Sequence, residues 1–506
     1  MFNNAGRFKL AQPAIHVLPP IIVTLVFFEL SPNEINLIQV ILALVLLQLP
    51  WSAYLTWRKE REEKLPVFAL IGFMYWIYYA VGIFWGTRTA SGKDTPFDQI
   101  LPDDVITWSL AMAVTGVVSM WLGTRSKVAR RFLPRALPVL KDGKTSLHYL
   151  RVLLVGGTLL SLSESFAFSG GEGSRQVLTI FISLVPLLAF SILFRRFIRG
   201  ELAALDKALV VGYLLLRFVV GLSSGWLGAF ASIIVVCGAV YVAEKRKVPR
   251  LALVLVILFT LFFQVGKKDF RETYWQQGSQ AGKVDRVNAW VGMSMEKWNA
   301  ALTDSTGAGL NDAINSSLSR MSLLTQTANV LDLTPSVVPF QYGRMYSYML
   351  VTFIPRFVWP DKPSINDANQ FYQVAYGMST EEGAESVQIG VGVMTEAYIS
   401  FGWFGVVGIM FLMGIFYDFY QKIFFAKTSG DLMLGLGVAL LPQMIGIEAQ
   451  MAGYLGGILQ QVLLTLLVFL PVIRLSRRHR RLDQYFENAG TRETLDSSRR
   501  LVLSKN

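Results

Sequence analysis

Apolar residues dominate twelve stretches of the chain, near residues 14–30, 36–56, 66–86, 105–123, 149–168, 177–194, 208–222, 226–243, 251–266, 402–421, 432–447 and 453–473. A helix must carry ~20 such residues to cross the hydrocarbon core, because no water is present there to bond its backbone groups. The pattern therefore predicts an all-α polytopic membrane protein of about twelve transmembrane helices. Between the ninth and tenth runs lies one long polar segment, residues 267–401. The chain divides into helices 1–9 over 1–266, a loop domain over 267–401, helices 10–12 over 402–475 and a basic tail over 476–506.

Within the long segment, Val284–Leu331 has helical periodicity, with Val287, Trp290, Val291, Met295 and Trp298 at three- and four-residue spacings. Pro335, Pro339, Pro355, Pro360 and Pro363 then interrupt an apolar patch, Met345–Phe357, too short to span. That patch is expected at the membrane interface. A long segment this rich in aromatics is expected to be ordered and to hold the function.

Charge orients the bundle. Alternate loops and the two ends hold 32 of the 47 Lys and Arg residues, which predicts that both termini face the cytoplasm. Segment 267–401 is then extracytoplasmic, with ten basic against thirteen acidic residues. In a soluble protein a formal charge of +12 would suggest nucleic acid. Here 53% hydrophobic and 16% charged residues, with the basic ones concentrated in alternate loops, exclude a nucleic-acid partner and a cytosolic enzyme. The lone Cys237 permits no intramolecular disulfide and no thiol metal cluster. The N-terminal segment lacks a small-residue cleavage site and is expected to be retained as an anchor.

Nucleotide-binding and zinc-protease motifs are absent, and no cofactor or metal is expected. His16, His148 and His479 all fall on the predicted cytoplasmic side, so an extracytoplasmic base must be a carboxylate or a tyrosine. Arg344, Arg356 and Lys362 flank the interfacial patch. They suit a lipid pyrophosphate whose tail lies in the membrane. Snorkelling arginines, or Arg356 stapled to Asp361, would give the same pattern.

Glu396 precedes the tenth span amid small and apolar residues, where it can accept a proton from a sugar hydroxyl or simply start a helix. Asp361, Asp367 and the cluster Glu381, Glu382 and Glu385 compete with it, the cluster reading as a flexible solvated loop beside Gly383. Inside the spans, Arg217 and Glu164 are costly enough to be functional candidates, or they pair with each other. The cluster Gly221–Gly228 allows close approach of a ligand or of a helix.

The strings FIPRFVWPDKP (353–363), NDANQF (366–371) and TEAYISFGWFGV (395–406) resemble the oligosaccharide repeat-unit polymerases, the Wzy-type O-antigen and exopolysaccharide family. The resemblance is specific over residues 340–410 and elsewhere is one of topology. It implies a GT-C-like, metal-independent, inverting glycosyltransferase in a bacterial inner membrane, its active site facing the periplasm. Such an enzyme moves a growing glycan from undecaprenyl pyrophosphate onto a new lipid-linked repeat unit. Membrane lipids, a flippase and a chain-length regulator would be its partners. By the same resemblance Arg344 and Arg356 match the family's loop arginines and Glu396 the acid of EAYISFG. Arg217 takes the role of an arginine that family members carry where this chain has Ser224-Gly225-Trp226. Two rivals remain. An O-antigen ligase typically places a histidine in its outer loop, and residues 267–401 hold none. A lipid-linked oligosaccharide flippase rarely needs so long an outer segment.

Overall fold

A computed structural model describes the chain apart from residues 1–4, 86–87, 92–97, 163–177, 179, 275–280, 305–308, 310–317, 319–321, 353, 355–358, 360–361, 365, 387 and 478–506. Helices run over α1 (Ala5–Glu29), α2 (Leu37–Glu60), α3 (Val67–Trp85), α4 (Asp103–Arg125), α5 (Lys144–Leu162), α6 (Phe181–Arg199), α7 (Ala204–Ser223), α8 (Leu227–Lys245) and α9 (Arg250–Tyr274). The long segment adds α10 (Lys283–Thr303), α11 (Leu324–Leu333), α12 (Arg344–Thr352), α13 (Asn366–Ala375) and α14 (Glu381–Ser386). Then come α15 (Val393–Phe424), α16 (Asp431–Ile445), α17 (Met451–Leu455) and α18 (Ile458–Phe469).

Every one of the twelve apolar runs centres on a helix over its described residues. Among the described residues, eight helices are long and apolar enough to cross a membrane: α2, α3, α4, α5, α6, α9, α15 and the joined pair over Met451–Val472. Ile15–Glu29 of α1 and α16 are apolar but shorter. Charge separates α7 from the eight, since it carries Asp206, Lys207 and Arg217.

The bundle closes around α4 and α15, the longest helix. A Cβ on Gly414 would lie 2.0 Å from the Met120 carbonyl oxygen, so the two backbones touch where only glycine fits. Close packing of this kind substitutes in lipid for the hydrophobic drive that water supplies elsewhere. Leucine, aromatic and methionine side chains from α2 to α6, α8 and α15 to α17 fill one continuous core. A smaller core of Leu222, Leu227, Phe263, Phe270 and Trp290 binds α10 to the far end of α9. There Trp290 and Trp298 donate to the carbonyls of Phe263 and Phe262 at 3.1 and 3.2 Å. Met295, expected on the apolar face, is instead 53% exposed.

The basic loops gather at one end of the bundle. Lys64 N–H donates to Phe425 O at 2.6 Å and Lys427 N–H to Glu62 O at 2.9 Å. Arg246, its guanidinium 4.5 Å from the Trp57 ring, donates to the carbonyls of Glu63 and Trp57. Buried Arg195 joins Glu244 of α8 to Asp431 of α16, the latter at 2.6 Å.

Two departures from an all-helical chain occur outside the spans. Thr89–Ser91 (β1) pairs antiparallel with Asp98–Ile100 (β2), and Ala136–Leu140 (β3) with Ile473–Arg477 (β4), Leu140 opposite Ile473. Each strand is a short extended connection whose backbone groups bond across rather than to water. Residues 381–386, expected as a flexible loop, form the short helix α14, with Glu381, Glu382 and Glu385 exposed.

Candidate active site

At the opposite end of the bundle, α15 is broken. Phe401 (φ −142°, ψ 15°) and Gly402 (φ 62°, ψ −149°) leave the helical region, splitting Val393–Ser400 from the segment that follows. The left-handed φ of residue 402 suits glycine alone without strain. A broken helix deep in a bundle leaves orphan carbonyls, and these must find donors. They do: Gln341 N–H donates to Ile399 O at 2.9 Å and Tyr342 N–H to Ser400 O at 3.0 Å. The turn supplying them is itself tight, with Tyr342 at φ 45° and Gly343 at φ 85°. Thus the loop before α12 caps the break, and the break fixes where α12 begins.

The short segment before the break is buried along its whole length. Tyr79, Thr327 and Thr395 hold it from behind through a hydroxyl triangle whose shortest side, Thr327 to Thr395, is 2.8 Å. Tyr398 adds a bond to Thr334 O at 3.5 Å. Ahead of it, Gly392 N–H donates to Glu448 O at 2.9 Å.

Glu396 sits in this segment and is wholly buried. Met451 N–H donates to its Oε2 at 2.6 Å, while Oε1 has no partner among the described residues. One helical turn on, Ser400 Oγ is likewise buried and unbonded. Across from them Tyr346 of α12 stacks on the Phe401 ring, with centroids 6.3 Å apart and planes 8° from parallel. Its hydroxyl faces Ser400 without meeting hydrogen-bond geometry. Burial pushes the Tyr346 phenol well above its ordinary range; the nearby Glu396 charge adds to this, and the Ser400 hydroxyl opposes it. A carboxylate oxygen and two hydroxyls, all desolvated and without a partner among the described residues, therefore share one neighbourhood, in which Tyr346 feels both Glu396 and Ser400. Buried polar groups are bonded in the great majority of cases, so such a cluster needs an explanation.

The other sequence-predicted residues are placed as follows. Arg344 opens α12 two residues before Tyr346, exposed and without a partner among the described residues. Lys362 is buried, its ammonium donating to Ile354 O at 2.8 Å and Val351 O at 3.4 Å, so it closes the last turn of α12. Arg217 is half-buried on α7, with its guanidinium 5.9 Å from the Tyr213 ring and no carboxylate partner among the described residues. No described contact brings Arg217 to Glu396. Asp367 lies in the first turn of α13. Arg356, Asp361 and Glu164 lie outside the described residues. Gly221–Gly228 forms the turn from α7 to α8, where Arg271 donates to Gly225 O at 3.3 Å, and it packs helices.

Tyr346, Ser400, Glu448 and Lys267 are absent from the sequence reading. Ser400 was within reach, being one helical turn from Glu396 on the same face. So was Glu448, which carries the only charge in the connection 446–450. Burial raises its carboxyl above the usual range and the Lys267 ammonium draws it back, which brings the far end of α9 close to the start of α15.

A cavity of about 160 Å³ opens at the basic end, lined by Glu60, Glu63, Asp418, Arg125, Trp57 and Trp121 among others. Its polar groups are engaged: Lys422 pairs with Asp418, Gln421 donates to Glu63, and Arg125 lies over Trp121 at 4.4 Å. Glu396, Tyr346 and Ser400, each with a buried atom that has no partner among the described residues, lie at the other end.

No curated protein and no solved structure matches the chain. The chain belongs to a family defined by a domain of unknown function, DUF8712, whose model its residues 136–437 match.

Proposed function

We propose that this protein is a membrane glycosyltransferase that polymerises undecaprenyl-pyrophosphate-linked oligosaccharide repeat units into O-antigen or exopolysaccharide. The reading goes with a GT-C-like bundle of about twelve spans in a bacterial inner membrane, both termini cytoplasmic and the Glu396 end facing the periplasm. One observation carries it: Glu396 presents a free, fully desolvated oxygen beside two unbonded hydroxyls, at the end of the bundle that holds the long segment. Such an oxygen is suited to take a proton from an alcohol in a site that excludes water.

In the reaction, an acceptor sugar hydroxyl attacks the anomeric carbon of the donor glycan from the face opposite the pyrophosphate. The new carbon–oxygen bond forms as the bond to pyrophosphate oxygen breaks. The electron pair leaves on the lipid pyrophosphate, and the hydroxyl proton passes to Glu396 Oε1. Inversion follows from the single displacement. Arg344 and Arg217, with Arg356, would bind the departing pyrophosphate, where guanidinium groups stabilise growing charge. Lys362, already bonded to two carbonyls, contributes by holding α12.

The test is the size distribution of surface and lipid-linked glycans after deletion of the gene, complemented by wild type or by Glu396→Gln. Collapse of the ladder to one repeat unit, restored by wild type and not by Glu396→Gln at equal membrane abundance, supports the polymerase. Long polymer stranded on its carrier would mean a ligase instead. Loss of all outward-facing lipid-linked units would mean a flippase.

A further inference from the structure

The three unbonded groups say which substrate sits at Glu396. Pyrophosphate offers only acceptor oxygens at neutral pH and carries negative charge. Glu396 Oε1 can bond only to a donor when ionised, and it would repel an anion. A sugar hydroxyl both donates and accepts, so one hydroxyl can give its proton to Oε1 while its lone pairs take those of Tyr346 and Ser400.

Tyr342 adds an independent observation. It is 79% exposed and sits at φ 45°, a left-handed region that strains a residue with a side chain. The loop holds it there through its N–H to Ser400 O and through Arg344 N–H to Gln341 O at 3.0 Å. Glycine or asparagine would serve the turn with less strain. The large ring is thus fixed one residue beyond the Gln341 that caps Ile399, with its backbone bonded to the same Ser400 whose hydroxyl has no partner among the described residues. The negative face of an aromatic ring attracts the polarised C–H groups of a pyranose, while its edge tolerates water.

We infer that Tyr342, Tyr346 and Ser400 form the acceptor-sugar subsite: the Tyr346 and Ser400 hydroxyls orient the attacking hydroxyl toward Glu396, and the Tyr342 ring stacks on the sugar that bears it. The inference rests on the glycosyltransferase reading and assigns Glu396 to the acceptor, leaving the pyrophosphate to the arginines.

The experiment uses the full chain in nanodiscs and the host's lipid-free repeat-unit oligosaccharide as probe, with binding read by saturation-transfer NMR. Wild type binds the probe. Tyr342→Ala, Tyr346→Phe and Ser400→Ala each weaken binding about tenfold, the order of one lost hydrogen bond or stacking contact. Tyr342→Phe keeps the ring and restores binding, and Tyr346→Phe preserves the stack on Phe401, so a folding defect does not imitate the result. In reconstituted transfer the loss falls on KM for the acceptor and not on KM for the lipid-pyrophosphate donor.

If the ladder collapses on gene deletion yet these variants bind the probe as wild type does, the subsite is wrong and the polymerase stands. An equal loss in Tyr342→Phe and Tyr342→Ala also overturns the stacking role. If wild type binds the probe through these residues but deletion leaves the ladder intact, the sugar subsite stands and polymerisation falls.

Discussion

The two ends of the bundle treat their charges in opposite ways. At the basic end the described ions pair up: buried Arg195 with Glu244 and Asp431, exposed Arg199 with Glu244, half-buried Lys422 with buried Asp418. Arg246 and Lys64 spend their charge on backbone carbonyls. At the other end, among the described residues, Glu396 keeps one oxygen unbonded, Ser400 and Tyr346 have hydroxyls without a partner, and Arg217 and Arg344 have no acid beside them. Leaving a desolvated polar group unbonded costs roughly 1–3 kcal/mol, so the second arrangement is expensive for a resting fold. It becomes favourable when a ligand supplies the missing bonds. The contrast separates residues that hold the bundle from residues whose missing bonds a ligand could supply.

The largest effect should come from breaking the satisfied end. Arg195 is buried between two carboxylates, and Arg195→Ala would strip Glu244 and Asp431 of their closest cation, leaving Arg199 at 2.9 Å from Glu244 and Arg196 at 3.7 Å from Asp431. Loss of one partner from a buried ionic cluster costs about 3–5 kcal/mol, so this variant should lose folded protein from the membrane. Fluorescence-detected size exclusion in detergent measures it. A monodisperse peak at wild-type intensity would show that the network is dispensable, and the comparison between the two ends would lose its first half.

Arg217→Ala is the complementary change. With no carboxylate to strand among the described residues, it should alter thermal stability by no more than about 1 kcal/mol. Its transfer activity should fall on the order of 10²-fold if it stabilises the leaving pyrophosphate. Arg217→Lys should recover part of that, because it keeps the charge and loses the bidentate fork. A melting temperature that drops while activity per folded molecule stays constant would move Arg217 into the structural class.

What the sequence made legible follows the same division. Hydropathy located all twelve helical runs, because burial in lipid demands continuous apolar stretches. The run expected to begin at residue 402 starts where α15 breaks, after Phe401. Basic loops gathered at one end as their alternation implied. Glu396 stood out as a carboxylate among small and apolar residues. Its surroundings did not, since Tyr346, Met451 and Ser400 come together only when α12, α17 and α15 pack, and a one-dimensional pattern carries no record of such packing. The pairing of β3 with β4 was hidden for a similar reason: more than 300 residues separate Ala136 from Arg477. Lys362 shows the reverse limit, a cation whose local pattern suggested phosphate and whose amine is taken by carbonyls of its own segment.

The smallest effect tests whether the satisfied end has a weak point. Glu63 lies in the connection between α2 and α3, beside the cavity, with Gln421 as its hydrogen-bond donor. Burial pushes its carboxyl from 4.5 up to about 7; Lys422 draws it back, and Asp418, Glu62 and Glu60 reinforce the rise. The folded chain thus holds a proton that the unfolded chain has released between those two values. Because the folded state then binds more protons, stability declines as pH rises through that window. The contribution is complete below the unfolded value and gone above about 7. Melting temperature should therefore fall modestly between pH 5 and pH 7.5 (roughly the span of that titration) in wild type. Glu63→Gln, which cannot ionise yet keeps the shape, should flatten this slope without raising or lowering transfer activity. An unchanged slope in that variant would mean that Glu63 is ionised throughout and that Lys422 serves both it and Asp418, making the basic end as fully paired as its arginines suggest.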